Sequence, residues 1–148
     1  MSPNPSPRAG SLLSTVRLLS QLGATIEWIC REFDLTLGQY RILTYILEGS
    51  PRPSDLAAAL FITRSTLTES TQGLERRGLI SRVRTADDGR AVTLHLTTRG
   101  ADTLNAVEQR LKEFIRTIAR DVGLPMFRAT VEGLRAPLHQ ELQGRKQP

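Results

Sequence analysis

The segment RTADDGRAVTLHLT, residues 84–97, holds most of the residue types that suggest a function. Asp87, Asp88 and His95 could act as acid and base groups, and Arg90 is a cation beside them. Acid–base catalysis needs surroundings that shift pKa values and exclude water. The Asp-Gly pair between two strand-forming runs instead predicts an exposed β-hairpin with a tight turn. The segment therefore favours binding over catalysis, with Arg90 near the tip of the hairpin.

Other sites for chemistry are not evident in the sequence. There is no glycine-rich phosphate loop, no nucleophile elbow and no metal motif. Cys30 is the only cysteine, which rules out an internal disulfide and a multi-cysteine metal site. His95 and His139 fall on separate predicted elements without the spacing of metal ligands. We expect no enzyme activity, no metal and no cofactor.

The charge distribution points to a polyanionic partner. Residues 1–60 have a net charge of zero, from five arginines and five acids. Residues 61–99 carry seven arginines and four acids, a net charge of +3, and residues 100–148 carry eight basic and six acidic groups, a net charge of +2. The middle segment, which contains the hairpin, is the most basic. Clustered arginine is typical of nucleic-acid binding, although a solvated surface is the alternative.

Length and composition indicate one ordinary domain or one subunit of an oligomer. The chain has 148 residues, of which 39% are apolar, and no apolar run is long enough to span a membrane. The first ten residues contain three prolines and no apolar stretch, so they predict a flexible tail and not a secretory signal. We therefore expect a cytoplasmic protein.

Residues 35–78 predict a helix-turn-helix. Thr36 and Gln39 form a capping-box pattern that starts a helix running to about Leu47. A short helix follows, opened by Pro53-Ser54 and running from Asp55 to about Leu60, and Thr63 caps another that ends at Gly78. In this last helix Leu67 and Leu74 face the core. Short polar residues and one arginine occupy the opposite face: Arg64, Ser65, Thr68, Glu69 and Gln72.

The remaining elements complete a winged helix. The predicted strands are Ile80 to Arg84 and Ala91 to Leu96, and Thr97 caps a long helix that Gly123 and Pro125 end. Pro137 is expected to kink or split the last helical stretch. The fold class is mainly α with a small β-hairpin wing. The predicted organisation is a tail at 1–10, an N-terminal dimerisation helix at 11–34, a winged helix-turn-helix domain at 35–98 and C-terminal dimerisation helices at 99–148.

The first and last helices carry apolar stripes that the small middle domain cannot cover. Helix 11–33 has apolar residues near helical spacing on more than one side. The economical solution is that these helices pack against each other and against a second copy of the chain. An elongated monomer is the alternative.

Three segments together resemble the MarR family of bacterial transcription regulators. They are LTLGQYRIL at 35–43, SDLAAALFITRSTLTESTQGLERRGLISR at 54–82 and DDGRAVTLHLTTRG at 87–100. The most specific part is Asp88-Gly89-Arg90, then a β-run, then Leu96-Thr97-x-x-Gly100, which is similar to the Asp-x-Arg wing and helix start of the family. The resemblance covers residues 35–100 by motif and the flanking helices by architecture only.

The resemblance implies a homodimer that binds double-stranded DNA at a pseudo-palindromic operator, most simply as a repressor. Helix 63–77 would lie in the major groove and the wing would place Arg90, held by Asp88, in the minor groove. Arg82 and Arg84 would contact phosphates at the base of the wing, and Glu69 would accept from cytosine or reject wrong sites. The remaining contacts would come from Arg64, Ser65, Thr66, Thr68 and Gln72.

The resemblance also implies a small aromatic or phenolic effector between the dimer helices and the winged domain. Trp28, Tyr40 and Tyr45 are the candidate lining, with the alternative that these aromatics are core residues. Peroxide sensors of the family place a reactive cysteine near the start of the first helix. Cys30 lies near its end, which favours a buried structural thiol. The alternative to DNA binding as a whole is a winged helix that binds another protein.

Overall fold

The computed structural model describes residues 10–49, 51–84 and 92–144. The helices are α1 Leu12–Arg31, α2 Leu37–Glu48, α3 Pro53–Leu60, α4 Arg64–Arg76, α5 Thr98–Ile118, α6 Leu124–Gly133 and α7 Arg135–Gly144. Strands β1 Ile80–Arg84 and β2 Val92–Leu96 lie between α4 and α5 and pair antiparallel. The predicted fold class, mainly α with a β-hairpin wing, is confirmed.

The chain divides into two compact units. The first ends at Gln109 and the second begins at Arg110. The first therefore contains the helix-turn-helix, both strands and the first half of α5. The second contains the rest of α5, α6 and α7. The predicted functional boundaries at 34/35 and 98/99 stay predictions.

Hydroxyl caps fix where the helices of the first unit begin. The Thr36 hydroxyl accepts the N–H of Gln39 at 3.1 Å, and the Gln39 side-chain oxygen accepts the N–H of Thr36 at 3.1 Å, which completes the predicted capping box. Thr63 Oγ1 accepts the N–H of Thr66 at 3.1 Å, as its predicted N-cap role requires. Such caps each stabilise a helix by about 1 kcal/mol.

The turn between α3 and α4 is short and sharp. Phe61 adopts a left-handed conformation with φ of 57°, and the N–H of Ile62 donates to the carbonyl of Ala57 at 3.2 Å. These features end α3 at Leu60 and let α4 begin at Arg64 after only three residues. This is the predicted helix-turn-helix.

One apolar core holds the first unit together. It buries a set of aliphatic side chains from every element of that unit, and truncating such a residue to alanine typically costs about 2–5 kcal/mol. The largest of them are Ile29, Leu35, Ile42, Leu43, Leu56, Leu74, Leu79, Leu94, Leu104 and Val107. The second half of α1 is part of this core, whereas its first half is exposed.

The hairpin packs on the helices through one face. Ile80 pairs with Leu96, Arg82 with Leu94, and Arg84 with Val92. Because cross-strand partners project from the same face, Arg82 lies on the face of the buried Leu94. The N–H of Leu94 also donates to the carbonyl of Pro51 at 3.3 Å, which ties β2 to the segment between α2 and α3.

The start of α5 is locked onto the junction between α4 and β1. Thr97 caps α5 by accepting the N–H of Gly100 at 3.0 Å, as predicted, and its hydroxyl donates to the carbonyl of Gly78 at 2.6 Å. The N–H of Thr97 donates to the carbonyl of Leu79 at 3.1 Å. A Cβ atom on Gly100 would lie 1.9 Å from that same carbonyl oxygen. Only glycine permits this approach of helix and backbone.

The second unit departs from the sequence prediction in its details. The sequence predicts a helix that continues until Gly123 ends it, but α5 ends at Ile118 and the chain proceeds through turns to Gly123. Gly123 is left-handed, with φ of 84°, so regular helix must end before it. The last helical stretch is split at Leu134, three residues before Pro137, because proline cannot continue the preceding helix. The predicted split is confirmed.

Large apolar side chains remain exposed in both units. In the first half of α1 they are Leu12, Leu13, Val16, Leu18 and Leu19, with Leu12 86% exposed. In the second unit they include Val122, Met126, Val131, Leu134 and Leu138. A soluble monomer rarely exposes apolar residues at this density, so both helical segments have the composition of an interface.

We expect Gly100→Ala to lower the free energy of unfolding by about 1–3 kcal/mol, since the clash is with backbone and no side chain can rotate away. Urea unfolding followed by circular dichroism measures the change. Gly73→Ala is the matched control, because the nearest atom to its Cβ is the Gln39 amide nitrogen at 3.5 Å, an ordinary contact. That substitution should stabilise α4 by about 1 kcal/mol. Equal stability of wild type and Gly100→Ala would contradict the close approach.

Candidate nucleic-acid interface

Helix α4 has one buried face and one polar exposed face. Leu67, Thr71 and Leu74 are buried, and they lie on one side because residues three and four apart share a face. All six predicted contact residues of the helix are exposed: Arg64, Ser65, Thr66, Thr68, Glu69 and Gln72. The structure therefore presents the predicted set together on an accessible surface.

The hydroxyls at the start of α4 are folded against the helix. Thr63 Oγ1 lies 2.9 Å from Ser65 Oγ and 2.8 Å from Thr66 Oγ1, and Thr68 Oγ1 donates to the carbonyl of Arg64 at 2.8 Å. These side chains consequently project little beyond the backbone. A low polar surface of this kind lets the helix backbone approach a partner closely, with hydroxyls available to bases or phosphates.

A concavity of about 230 Å³ lies beside this surface. Pro53 and Ser54 at the start of α3 and Arg64, Leu67 and Thr68 of α4 line it. The Arg64 side chain therefore stands at an indentation between the two helices of the helix-turn-helix. The arrangement offers a cation and hydroxyls to a ligand that follows the surface from α3 to α4.

The two described wing arginines differ in their surroundings. Arg82 Nε donates to Glu75 Oε2 at 3.1 Å, and Arg82 Nη2 donates to Thr71 Oγ1 at 3.1 Å. Arg84, at the end of β1, is exposed, and its side chain makes no hydrogen bond or ion pair with another described residue. The other two predicted wing contacts, Asp88 and Arg90, lie outside the described residues.

Sequence reasoning missed two long-range contacts of α4. Arg77 directly follows the last residue of α4, and its guanidinium donates to the carbonyls of Asp34 and Phe33, the latter at 3.2 Å. Glu75 and Thr71 were not recognised as partners of Arg82. Their spacing of four residues on α4 could have indicated that both lie on one face of the helix and could contact the same side chain. The partner on β1 could not be identified without the register of the hairpin.

The three candidate effector residues are dispersed over two helices. Trp28 on α1 is 59% exposed, Tyr45 on α2 is 38% exposed, and Tyr40 on α2 is half-buried. Burial raises the pKa of the Tyr40 hydroxyl above its usual value, and Glu108 and Cys30 add to the effect. None of the three lines the concavity beside Arg64 or a second one in the C-terminal unit, which is formed by Ile115, Leu124, Pro125, Phe127, Arg128, Ala129, Val131 and Glu132.

Cys30 is a fully buried free thiol. Burial raises its pKa to about 11, and the neighbouring Glu27 carboxylate contributes to the rise. Because the thiolate is the reactive form, a thiol that stays protonated at neutral pH is a weak nucleophile. The structural interpretation of Cys30 made from its position near the end of α1 agrees with this environment.

Metal clusters and membrane-spanning helices are both absent from the described ranges. No group of three or more His, Cys, Asp or Glu side chains in them is placed to hold a metal ion. No helix in these ranges combines the length and apolarity needed to cross a membrane.

Comparison with known proteins agrees with this geometry. The model of the family described as transcriptional regulator SarA/Rot matches residues 24–107. The regulator SarZ of Staphylococcus saprophyticus is 34% identical over 93 residues, which cover 62% of this chain and 58% of SarZ. The homoprotocatechuate degradative operon repressor of Escherichia coli is 32% identical over 109 residues, covering 70% of this chain and 73% of the repressor.

Solved structures share the fold over nearly the whole chain. The transcriptional regulator MOSR of Mycobacterium tuberculosis, solved in complex with DNA, has a TM-score of 0.66 and 26% identity, covering 92% of this chain and 98% of MOSR. NadR in complex with 4-hydroxyphenylacetate has a TM-score of 0.70 and 26% identity, covering 93% of this chain and 97% of NadR. AbsC of Streptomyces coelicolor, a MarR family transcriptional regulator, has a TM-score of 0.75 and 25% identity, covering 88% and 90% of the two chains.

The extent of the relationship is uneven. The chain covers 58%, 64% and 60% of the first three curated relatives that it matches. The matched part includes the helix-turn-helix and both strands, and the family model alone spans more than half of the 148 residues. The chain therefore belongs to the MarR family of winged helix-turn-helix transcriptional regulators.

Proposed function

We propose that this chain is a sequence-specific regulator of transcription that binds double-stranded DNA as a homodimer and acts as a repressor. One observation carries the proposal: the exposed polar face of α4 stands beside an arginine-bearing hairpin. A helix with short polar side chains fits the width of the major groove, and a hairpin beside it reaches the adjacent groove. The repressors and DNA complexes among its relatives support the same activity.

The charges of the surface suit a polyanion. Arg64 and Arg76 on α4 and Arg84 on β1 are exposed in the segment that carries the net charge of +3. Arginine contacts with phosphates release condensed counterions and supply much of the affinity of DNA-binding proteins. We assign Arg64 to a phosphate or a base edge, and Arg84 to a phosphate at the base of the wing.

Recognition of the DNA base sequence is assigned to two elements. On α4, Ser65, Thr66, Thr68 and Gln72 would meet base edges in the major groove, and Glu69 would accept from cytosine N4 or repel wrong sites. In the segment between the strands, Arg90 would enter the minor groove, where negative potential favours a guanidinium, and Asp88 would hold it. These last two assignments rest on the sequence motif.

The dimer is proposed from the exposed apolar residues. The first half of α1 and the helices α6 and α7 each expose aliphatic side chains that a second copy would cover. A two-fold-symmetric dimer would recognise a pseudo-palindrome with half-sites roughly 10 base pairs apart.

A regulator of chromosomal genes acts where the chromosome is, so we propose a cytoplasmic location.

A phenolic effector is proposed on a narrower basis. NadR, which is 26% identical, was solved with 4-hydroxyphenylacetate. Trp28 and Tyr45 are partly exposed and Tyr40 is half-buried, so each has surface to offer a ligand. Aromatic faces and a phenol hydroxyl suit a small aromatic acid.

We propose no enzyme activity, since the polar groups of the interface stand on exposed surface where water is not excluded.

Selection of bound sequences from random duplex DNA tests the proposed function. We expect wild type to enrich a two-fold-symmetric site and Arg90→Ala to lose base preference chiefly at A·T-rich flanks, because a narrow minor groove attracts arginine. Arg120→Ala, in the C-terminal unit, is the control for loss of one positive charge. If wild type shows only salt-sensitive binding without sequence preference, the operator hypothesis fails and the winged helix becomes a candidate protein-binding module.

Sedimentation equilibrium tests the dimer. Leu19→Glu places a charge on the exposed apolar face of α1 and should raise the dimer dissociation constant by about tenfold or more, because burying an unpaired charge is costly. Gln21→Glu adds the same charge to an exposed polar position of α1 and should leave the constant nearly unchanged. A wild-type protein that sediments as a monomer at all concentrations would overturn the dimer.

Tryptophan fluorescence tests the effector, because Trp28 is the only tryptophan in the chain. We expect 4-hydroxyphenylacetate to change the emission in a saturable way and to weaken operator binding, since linkage makes the two effects reciprocal. Cyclohexylacetate, which lacks the phenol, is the control ligand. An unchanged operator affinity in saturating 4-hydroxyphenylacetate would exclude this effector.

A further inference from the structure

We propose that Arg82 is a positioning residue that fixes the wing against α4 through Glu75 and Thr71. The wing here means β1, β2 and residues 85–91 between them. Arg82 would thereby set the distance between the major-groove contacts of α4 and the minor-groove contact of the wing. The inference rests on the proposed DNA-binding function, and it replaces the phosphate contact expected for Arg82 from the sequence.

The wing needs such a support because a two-stranded hairpin is barely stable alone. In β1 only Ile80 is buried, and the four residues from Ser81 to Arg84 are exposed. The hydrogen bond from the N–H of Leu94 to the carbonyl of Pro51 holds β2 near its middle. Among the described residues, no such backbone hydrogen bond joins the outer part of β1 to α4. Side-chain contacts must therefore orient the outer part of β1.

Arg82 is placed to provide that contact. It pairs with Leu94, so its side chain leaves the hairpin on the face that packs toward the helices. Val83, on the opposite face, is 46% exposed. The pattern is the reverse of ordinary alternation, in which the valine would face the helices and the arginine the solvent. An arginine on the inner face has a structural reason only if the helix offers it acceptors.

Helix α4 offers two acceptors one turn apart. Glu75 Oε2 receives Arg82 Nε at 3.1 Å, and Thr71 Oγ1 receives Arg82 Nη2 at 3.1 Å. Thr71 is only 2% exposed, and its hydroxyl donates its single proton to the carbonyl of Leu67 at 2.9 Å or to that of Thr68 at 3.1 Å. A lone pair of the oxygen is consequently left for Arg82.

The two contacts fix an orientation and not merely a distance. The guanidinium is planar and rigid, so two acceptors on different turns of α4 determine its plane. Lysine, with a point charge on a flexible stem, could satisfy either acceptor but cannot reproduce the fork. Arg84, which is two residues further along the same face, makes no such contact with another described residue. It serves as the matched arginine on the same strand.

Glu75 gives the sharpest test, because electrostatics and positioning predict opposite results. Removing a carboxylate from a DNA-facing segment should tighten binding to a polyanion. If Glu75 instead orients Arg82 and the wing, Glu75→Gln should weaken binding to the specific site. Non-specific binding, which depends on charge alone, should stay equal or become tighter.

The experiment has one arm without DNA. Hydrogen exchange in the free protein should be faster for the amides of β1 and β2 in Glu75→Gln and Arg82→Lys than in wild type, with the amides of α2 unchanged. Glu48→Gln and Arg84→Lys are the charge-matched controls of this arm without DNA, and their hydrogen exchange should match that of wild type. Thermal unfolding of each variant shows that the effect is local. Unchanged exchange in both test variants would overturn the positioning role whatever the DNA results.

The second arm uses the operator selected by wild type. We expect Glu75→Gln and Arg82→Lys to bind that operator about five- to tenfold more weakly at equal salt. Base preference should fall at the flanks read by the wing and persist at the centre read by α4. If the variants were merely less folded, base preference would fall equally at the flanks and at the centre. The slope of affinity against salt should stay close to that of wild type in Arg82→Lys, whose charge is preserved.

Two results would contradict the inference while leaving the proposed function intact. One is tighter operator binding by Glu75→Gln. The other is wild-type behaviour of Arg82→Lys together with a salt slope lowered by about 1 in Arg82→Ala, which is the signature of a phosphate contact. If wild type selects no operator, the proposed function fails and the DNA-binding part of the inference fails with it.

Discussion

The close approach of α5 to the junction between α4 and β1 is the constraint on which the rest of the first unit depends. The carbonyls of Gly78 and Leu79 accept the hydroxyl and the N–H of Thr97, and Gly100 lies so close to Leu79 that no Cβ fits. The end of α4, the start of β1, the end of β2 and the start of α5 thus meet within a few residues. The Leu-Thr-x-x-Gly motif encodes this meeting point, which fixes where the wing leaves the body and where the helix of the interface ends.

A second set of contacts links α1 to the same end of α4. Arg77 donates to the carbonyls of Phe33 and Asp34, just beyond α1, and the Glu27 carboxylate accepts the N–H of Leu37 at 2.7 Å at the start of α2. A carboxylate is well placed there because the first N–H groups of a helix lack partners within it. The C-terminal end of α4 is therefore held from two sides, while its N-terminal turn stays exposed. Polar contacts thus connect the end of α1 both to α2 and to the end of α4.

The features predicted correctly from the sequence are those that depend on interactions between residues close together in the chain. The caps at Thr36, Thr63 and Thr97 are hydrogen bonds between residues three apart, so a short pattern contains all the information needed. Five of the six exposed contact residues on α4 followed from helical periodicity, and Thr66 was added by the family resemblance. The contacts of Arg82 with Thr71 and of Arg77 with Phe33 join residues 11 and 44 positions apart, and they depend on how the elements pack. The effector hypothesis was limited in the same way, because Trp28, Tyr40 and Tyr45 have suitable types but their arrangement depends on packing.

The acids of the interface show why affinity and specificity must be considered separately. Glu69 is exposed on the face that we propose enters the major groove, and Glu75 lies six residues further along α4. On the proposed function, each would place a negative charge near the DNA and so weaken binding to any sequence. Such a charge favours the correct site only if it weakens binding to wrong sites more than binding to the correct one. It can do so by leaving a wrong base unsatisfied, or by orienting a group that contacts the correct base. Glu69 has the position for the first effect and Glu75, through Arg82, the geometry for the second. On the proposed function, acids at these positions would give discrimination at the expense of general DNA affinity, which suits a regulator that must ignore most of a chromosome.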